Sequence, residues 1–502
     1  MADATEKYTM TIGIECHVQL ATRTKLFSPA DNDARDKEPN TATHPIDFGL
    51  PGMLPVLNRQ AVELAVRAGK ALNAEIAPIS RFDRKHYFYP DLPKGYQTTQ
   101  MYQPIIGAGY VDAVLEDGTT VRVRIHHAHL EEDAGKLTHY GDYSLVDLNR
   151  AGTPLIEIVS EPDIHSPQEA KAYATELHRL MTYAGVTFGD LYHGNMRFDV
   201  NISVAPVESK TLGTRAEIKN LNSFRSVERA AEYEFRRQTE LLERGEHVVQ
   251  ETRGWDDASG KTSSQRSKED AQDYRYMPDP DIPPIKLTDA EIAAIQAQVG
   301  MLPHEYRQAF EKLGVDGSVV GVLLANQDTA KLMYDVMSAE VSTISLSKIV
   351  ANLLASIRTH DPDAVTSDGA DNENKAIGLM VAQHAEEHGS GQLANDLVAL
   401  ASMFEEKKIS SNAMADIFLS VMNGDTDPQK IAENRNLLQL SDEGEIATIV
   451  DEVLADPASQ KAVDDIKAGN DKAIGFLVGQ IMKKSQGKAN PALAQKLIRE
   501  RL

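Results

Sequence analysis

Residues 9–20 read Thr-Met-Thr-Ile-Gly-Ile-Glu-Cys-His-Val-Gln-Leu, and their character alternates strictly. In an extended chain successive side chains point to opposite faces. Met10, Ile12, Ile14, Cys16, Val18 and Leu20 therefore share an apolar face, while Thr9, Thr11, Gly13, Glu15, His17 and Gln19 share the other. So long an alternation commits the segment to a half-buried strand. It also sets Glu15 beside His17 on the polar face, and a carboxylate next to an imidazole on a rigid element can form half of a metal site. A single Glu-x-His pattern is weak, and on this segment alone an ordinary wet strand face is the commoner reading.

At 502 residues the chain has room for about three domains. Its 41% hydrophobic and 25% charged residues belong to an ordinary globular protein. No apolar run approaches the roughly 18 residues of a membrane span, and the acidic first residues have no apolar stretch of a signal peptide. The cytoplasm is the expected location. The lone Cys16 excludes internal disulfides and multi-cysteine zinc sites. The net charge of −23 argues against nucleic-acid binding by the chain as a whole. The end of the chain differs. Lys472, Lys483, Lys484, Lys488, Lys496, Arg499 and Arg501 face only Glu500, a local +6 that suits either a phosphate backbone or a solvated helix face.

The pattern divides the chain. Residues 1–287 mix strand-like alternation (Val121–Ile125, Phe198–Val204) with helices expected over 59–72, 166–184 and 226–244, and are expected to form one α+β domain. It should end at Pro278-Asp-Pro-Asp-Ile-Pro-Pro284, which can continue neither helix nor central strand. Thr288-Asp-Ala-Glu291 then reads as a capping box. From there apolar residues recur at helical spacing, as in Met414, Ile417, Phe418, Val421 and Met422 behind a cap at Ser411. Two breaks, at 361–374 and around Gly389-Ser-Gly391, divide this half, giving helical modules over 288–390 and 391–502.

Several segments carry ligand chemistry. Gly254-Trp-Asp-Asp-Ala-Ser-Gly-Lys-Thr262 has five residues between its glycines where a phosphate loop needs four, and puts Asp256 and Asp257 where phosphates would lie. A nucleotide must be held another way, through a metal. His126-His-Ala-His-Leu-Glu-Glu-Asp133 ends a strand with ligand types that favour magnesium or manganese, or is simply an acidic loop. Alternation does not decide whether Glu131 or Glu132 faces the site. Glu217 and Lys219 share a strand face and could meet metal and phosphate, or form a surface ion pair. The aromatic and basic run 82–96 could stack bases or pack into a core.

These stretches together resemble the B subunits of bacterial aspartyl/glutamyl-tRNA amidotransferases. The resemblance runs through Gly13–Leu20, Leu50–Asn58, Phe82–Pro90, His129–Lys136, Asp147–Asp163, Ala216–Phe224, Asp273–Asp281 and Ile474–Met482, in order over nearly the whole chain. It implies a cradle-shaped α+β catalytic domain, a helical domain and a helical tail that approaches tRNA. It also implies a heterotrimer with a glutaminase A subunit and a small C subunit. The implied reaction is ATP-dependent phosphorylation of the Glu or Asp side chain of Glu-tRNA(Gln) or Asp-tRNA(Asn), then amidation by channelled ammonia.

By resemblance the magnesium ligands and catalytic residues fall on Glu15, His17, Glu132 and Glu217, whose carboxylates should meet within a few Å of the His17 ring. Lys94, Arg150 and Lys219 are the expected phosphate contacts, and Lys483, Lys484 and Lys488 the expected tRNA contacts. Many family members carry a cysteine zinc knuckle where this chain has Ser28-Pro-Ala-Asp-Asn-Asp-Ala-Arg-Asp-Lys-Glu-Pro-Asn40, so no zinc is expected. Two other functions compete: a free-standing metal- and ATP-dependent carboxylate–amine ligase, and a tRNA-binding scaffold whose chemistry lies on a partner.

Overall fold

The alternating segment becomes strand β1 (Tyr8–Gln19) in the interior of an eight-stranded sheet. The computed structural model describes residues 6–267, 273–356, 379–384, 386–439, 443–468, 470–485 and 488–502. The break expected at 361–374 lies outside them. The remaining strands are β2 (Ile79–Ser80), β3 (Asp83–His86), β4 (Tyr96–Thr99), β5 (Gly109–Val114), β6 (Thr120–Glu132), β7 (Lys136–Tyr140), β8 (Tyr143–Asp147) and β9 (Pro154–Ser160). They continue with β10 (Met196–Pro206), β11 (Ala216–Leu221), β12 (Glu251–Asp256), β13 (Lys261–Ser267), β14 (Met277–Pro278) and β15 (Ile285–Lys286). The large sheet has the order β13-β12-β11-β10-β1-β9-β6-β5. Its pairs are antiparallel except β11 with β12.

One face of the sheet is apolar and covered. Ile12, Cys16 and Val18 have no exposure and Ile14 has 1%. Helices Pro167–Tyr183 and Phe224–Glu243 pack on each other and on the strands, supplying Tyr173, Leu177, Val227 and Phe235 to this core. Each fully buried aliphatic contributes about 1.5–3 kcal/mol. The helix starts follow local capping: Ser166 accepts from the Glu169 N–H, and Ser223 from the Ser226 N–H. The expected capping box at Thr288 is present.

The chain divides into two compact units, 1–304 and 305–502. The helix Asp289–Gln296, expected to open the second domain, belongs to the first. It packs on helix Arg59–Ala71, where Lys70 donates to the Gln296 carbonyl at 3.1 Å. Leaving the proline-rich segment, the chain folds back instead of away.

No strand follows Lys286 among the described residues. Helix Ser390–Glu405 packs on Gln327–Ser338 and Ile344–Ser356, so the elements on both sides of residue 390 share one core. Ile446, Val450, Leu477, Ile481, Leu497 and Ile498 build another core at the end of the chain. The cap expected at Ser411 is one residue earlier, at Ser410. The rejected phosphate loop is the turn of the β12–β13 hairpin, which lacks the strand–loop–helix geometry of such a site.

Loop 28–40 is held by polar contacts. Asn32 donates to the Leu20 and Thr22 carbonyls at 2.9 and 3.1 Å, and Asn149 donates to the Glu38 carbonyl at 2.8 Å.

Candidate active site

The other face of the sheet collects charge. Register sets Glu15 opposite Asp199 and His17 opposite Arg197 on β10, and His17 opposite Glu157 on β9. Directly paired residues project to the same side. Beyond β9, His129 pairs with Glu157; beyond β10, Glu217 pairs with Asn201. The result is a polar stripe from β6 to β12 with two groups of potential ligands. Glu15, Asp199 and Glu217 form one; His17, Glu131 and Glu157 form the other. Within each, the ligand atoms lie within 4.8 Å of one another.

Glu131, not Glu132, stands beside His17, with Nδ1 3.2 Å from its Oε1. The resemblance places Glu132 near the His17 ring, whereas the structure places Glu131 there, and the cause is a β-bulge. The β6–β9 register shifts between Ile125 and His127, placing one extra residue in β6. Unbroken alternation from buried Ile125 would send Glu131 to the core and Glu132 to the stripe. The extra residue exchanges the two faces. Glu132 instead accepts from the Thr98 N–H at 2.9 Å and pairs closely with Lys94. Lys94 is therefore a partner of that buried carboxylate and not a member of the stripe.

The expected convergence of Glu15, Glu217 and Glu132 on His17 becomes two adjoining groups. Asp199 connects them, its Oδ2 lying 3.9 Å from His17 Nε2. Asp199 and Glu157 escaped the sequence reading, although signals existed. Glu157 is a lone carboxylate within Pro-Leu-Ile-Glu-Ile-Val, and Asp199 leads the polar face of Phe198–Val204.

The supporting contacts orient these groups. Asn201 Nδ2 donates to Glu15 Oε1 at 3.0 Å, and Thr252 Oγ1 donates to Glu217 Oε2 at 3.0 Å. Lys219 Nζ lies 3.0 Å from both Asp199 and Glu217. Arg150 and Arg197 both reach Asp133 Oδ2 at 3.0 Å.

The electrostatics show crowding by one sign. Burial, then the charges of Glu157 and Glu217, raises the Glu15 carboxyl above its usual range. Burial alone would lower His17, but the Glu131 hydrogen bond and the charges of Glu131, Glu157 and Asp199 carry it up to about 9. Burial opposes Lys219 too, yet Asp199 and Glu217 hold its ammonium well above the ordinary range. An oxygen-rich group with too few cations is what a hard divalent ion neutralises. An imidazole beside two carboxylates suits magnesium or manganese less selectively. The residues present thus fit a magnesium-type ion, and Lys219 supplies positive charge at the first group.

The run 82–96 turns inward to its own partner segment. Arg84 binds Asp279 at 2.9 Å and Asp281 at 2.7 Å and lies over the Tyr96 ring, while Lys85 lies over Tyr274. Phe88 and Tyr89 remain exposed.

In the second unit, the basic tail is partly neutralised. Lys484 pairs with Glu452 at 2.6 Å, Arg499 with Asp471 at 3.1 Å, and Arg501 with Asp451 at 2.5 Å. Lys483 is exposed on the same helix as Lys484, and Lys488 follows that helix. Among the described residues no helix is long and apolar enough to cross a membrane.

Residues 10–293 match the family described as the GatB/GatE catalytic domain, and residues 374–502 match the GatB domain. The aspartyl/glutamyl-tRNA(Asn/Gln) amidotransferase B subunit of Halorhodospira halophila is 45% identical over 499 residues, covering 99% of each chain. The proteins of that name from Alkalilimnicola ehrlichii and Persephonella marina are 44% and 42% identical, with 98% of each chain covered.

Proposed function

The chain belongs to the family of aspartyl/glutamyl-tRNA(Asn/Gln) amidotransferase B subunits, and on that premise we propose that its polar stripe activates a mischarged aminoacyl-tRNA for amidation. The observation that carries this reading is the pair of ligand groups, Glu15/Asp199/Glu217 and His17/Glu131/Glu157, on a rigid sheet. The substrates are ATP and Glu-tRNA(Gln) or Asp-tRNA(Asn). The partners are a glutaminase A subunit, which supplies ammonia, and a small C subunit.

In the proposed first step an oxygen of the substrate carboxylate attacks the γ-phosphorus of ATP. The bond to the bridging oxygen breaks and ADP leaves. In the second, ammonia nitrogen bonds to the acyl carbon, phosphate leaves, and a proton is released. A magnesium ion held by the first group, or shared with the second, would offset repulsion between the phosphates and the substrate carboxylate.

The chain's own residues provide position and charge. Asn201 and Thr252 orient Glu15 and Glu217 through the hydrogen bonds above. Lys219 balances Asp199 and Glu217, and becomes available to a phosphate oxygen when another cation takes over that balance. Arg150 is already paired with Asp133, which makes it a weaker phosphate candidate. The substrate nucleophile is ionised at neutral pH, so no strong base is required. Lys483 and Lys488 are proposed to contact tRNA phosphates.

The test is Glu217→Gln in the assembled A–B–C complex, given ATP, mischarged tRNA and ammonium chloride in place of glutamine. Amide formation should fall at least about 100-fold with tRNA binding retained. Unchanged amidation would show that this chain is a scaffold with the chemistry elsewhere.

A further inference from the structure

The polar stripe ends in positive charge. Arg197 on β10 stands directly opposite His17 on β1, and paired residues project to the same side. Its Nη2 donates to Asp133 Oδ2 at 3.0 Å. Arg150 Nε lies 3.0 Å from that same oxygen, and the Arg150 guanidinium also donates to the Ala134 and Gly135 carbonyls at 3.3 and 3.5 Å. Asp133 Oδ1 accepts from the Ala134 N–H at 3.0 Å. Two guanidiniums thus share one carboxylate, which leaves one positive charge in excess. The neighbouring carboxylates are already met: Glu131 by His17 at 3.2 Å, and Asp199 by Lys219 at 3.0 Å.

The excess charge comes with an unused donor. Arg197 Nε is shut off from solvent, and it has no hydrogen-bond partner. Buried donors are nearly always paired, so this one calls for an oxygen when the site is filled. A guanidinium keeps its proton, and the partner that suits it is the oxygen of a carboxylate or phosphoryl group. Position chooses between these two. Asp199 separates Arg197 from Lys219: Lys219 holds its Oδ2 from β11, and Arg197 is two residues away along β10 on the same face. In phosphoryl transfer the attacking and leaving oxygens lie roughly in line, on opposite sides of the phosphorus. With the ATP phosphates on the Lys219 side, the attacking carboxylate is on the Arg197 side.

We propose that Arg197 binds the side-chain carboxylate of the aminoacyl group through its unpaired Nε–H and holds it for attack on the γ-phosphorus. Asp133, itself held by Arg150, fixes the guanidinium. The inference rests on the stripe being the place of activation. Arg197 gains and loses no proton in the step; the carboxylate oxygen bonds to phosphorus and ADP leaves as above.

The test uses the assembled A–B–C complex carrying Arg197→Lys, which keeps a positive charge and removes the Nε–H. ADP formation that depends on mischarged tRNA should fall about 100-fold, with KM for ATP and tRNA affinity held within about twofold. Unchanged ADP formation would overturn the proposal, leaving water as the partner of Nε. A raised KM for ATP at an undiminished kcat would overturn it too, by placing a phosphate there. R197Q/D133N removes both charges and carries the test if Arg197→Lys does not fold. Were Arg197 only the counter-charge of Asp133, this balanced pair would restore the rate; under the proposal it stays slow. Glu217→Gln is measured beside these variants. ADP formation lost there but kept in Arg197→Lys defeats this inference alone; ADP formation kept in both defeats the reading of the stripe.

Discussion

The carboxylates of the sheet, gathered from distant parts of the sequence, and the basic residues of the last two helices, clustered in it, are both groups of one sign, but the fold treats them oppositely. In the tail, Lys484, Arg499 and Arg501 find Glu452, Asp471 and Asp451. These pairs are largely exposed and each contributes little to stability, yet they offset much of the local +6. In the sheet, pairing between strands brings Glu15, Asp199 and Glu217 together, and Lys219 alone bridges two of them. A rigid backbone can hold like charges against one another; long side chains on a solvated helix face turn to find opposite ones. Unmet charge on a rigid element is therefore the stronger mark of a site.

The largest effect should come from a charge that is already met. Glu132→Ala leaves Lys94 buried without its partner and should cost about 3–5 kcal/mol in denaturant unfolding, while Mn2+ affinity stays within about twofold. A large loss of Mn2+ affinity with full stability would restore Glu132 to the ligand set. Glu15→Gln should do the opposite. Its carboxyl pKa is raised, so ionisation at neutral pH opposes folding, and the amide should raise the melting temperature of the cation-free protein. Mn2+ affinity should drop about 10- to 100-fold by calorimetry. If the melting temperature falls instead, the stripe is not strained by its own charge.

In the tail, Lys483→Gln with Lys488→Gln should weaken tRNA binding by the assembled complex and flatten the logarithmic salt dependence by about 0.7–0.9 per lost phosphate contact. Lys484→Gln alone should change the slope least, because Glu452 already holds that ammonium. Equal slopes for all three would remove the tail from tRNA binding.

The smallest effect concerns His127. Burial, then the charges of His129 and His126, lowers its pKa from 6.5 to about 4. The unfolded chain takes up this proton first, so the associated stability is complete above pH 6.5 and is lost as pH falls towards 4. His127→Gln should flatten the stability–pH curve across that window. An unchanged slope would show that the ring titrates normally in the fold.

Much of the fold was legible. The alternation of 9–20, the capping serines and the helical spacing after Thr288 are relations between chain neighbours, and each became the expected element within a residue or two. The same alternation set Glu15 and His17 side by side on the polar face. Glu157 and Asp199 left only faint local traces, because a single acidic residue in a strand becomes informative once its neighbouring strands are known. The break at residue 287 misled: proline stops an element but does not say where the next one packs.

The sequence by itself determined the strand, its two faces, the helical second half and the family, because periodicity and long motifs are written in consecutive residues. Tertiary structure alone decided between Glu131 and Glu132, joined Asp199 to Glu15 and Glu217, and paired the tail cations with acids outside their own segment. The physical reason is that a bulge exists only relative to a partner strand, and Coulomb interactions depend on distance in space. One extra residue in β6, seen against β9, exchanges which of two adjacent carboxylates reaches the stripe.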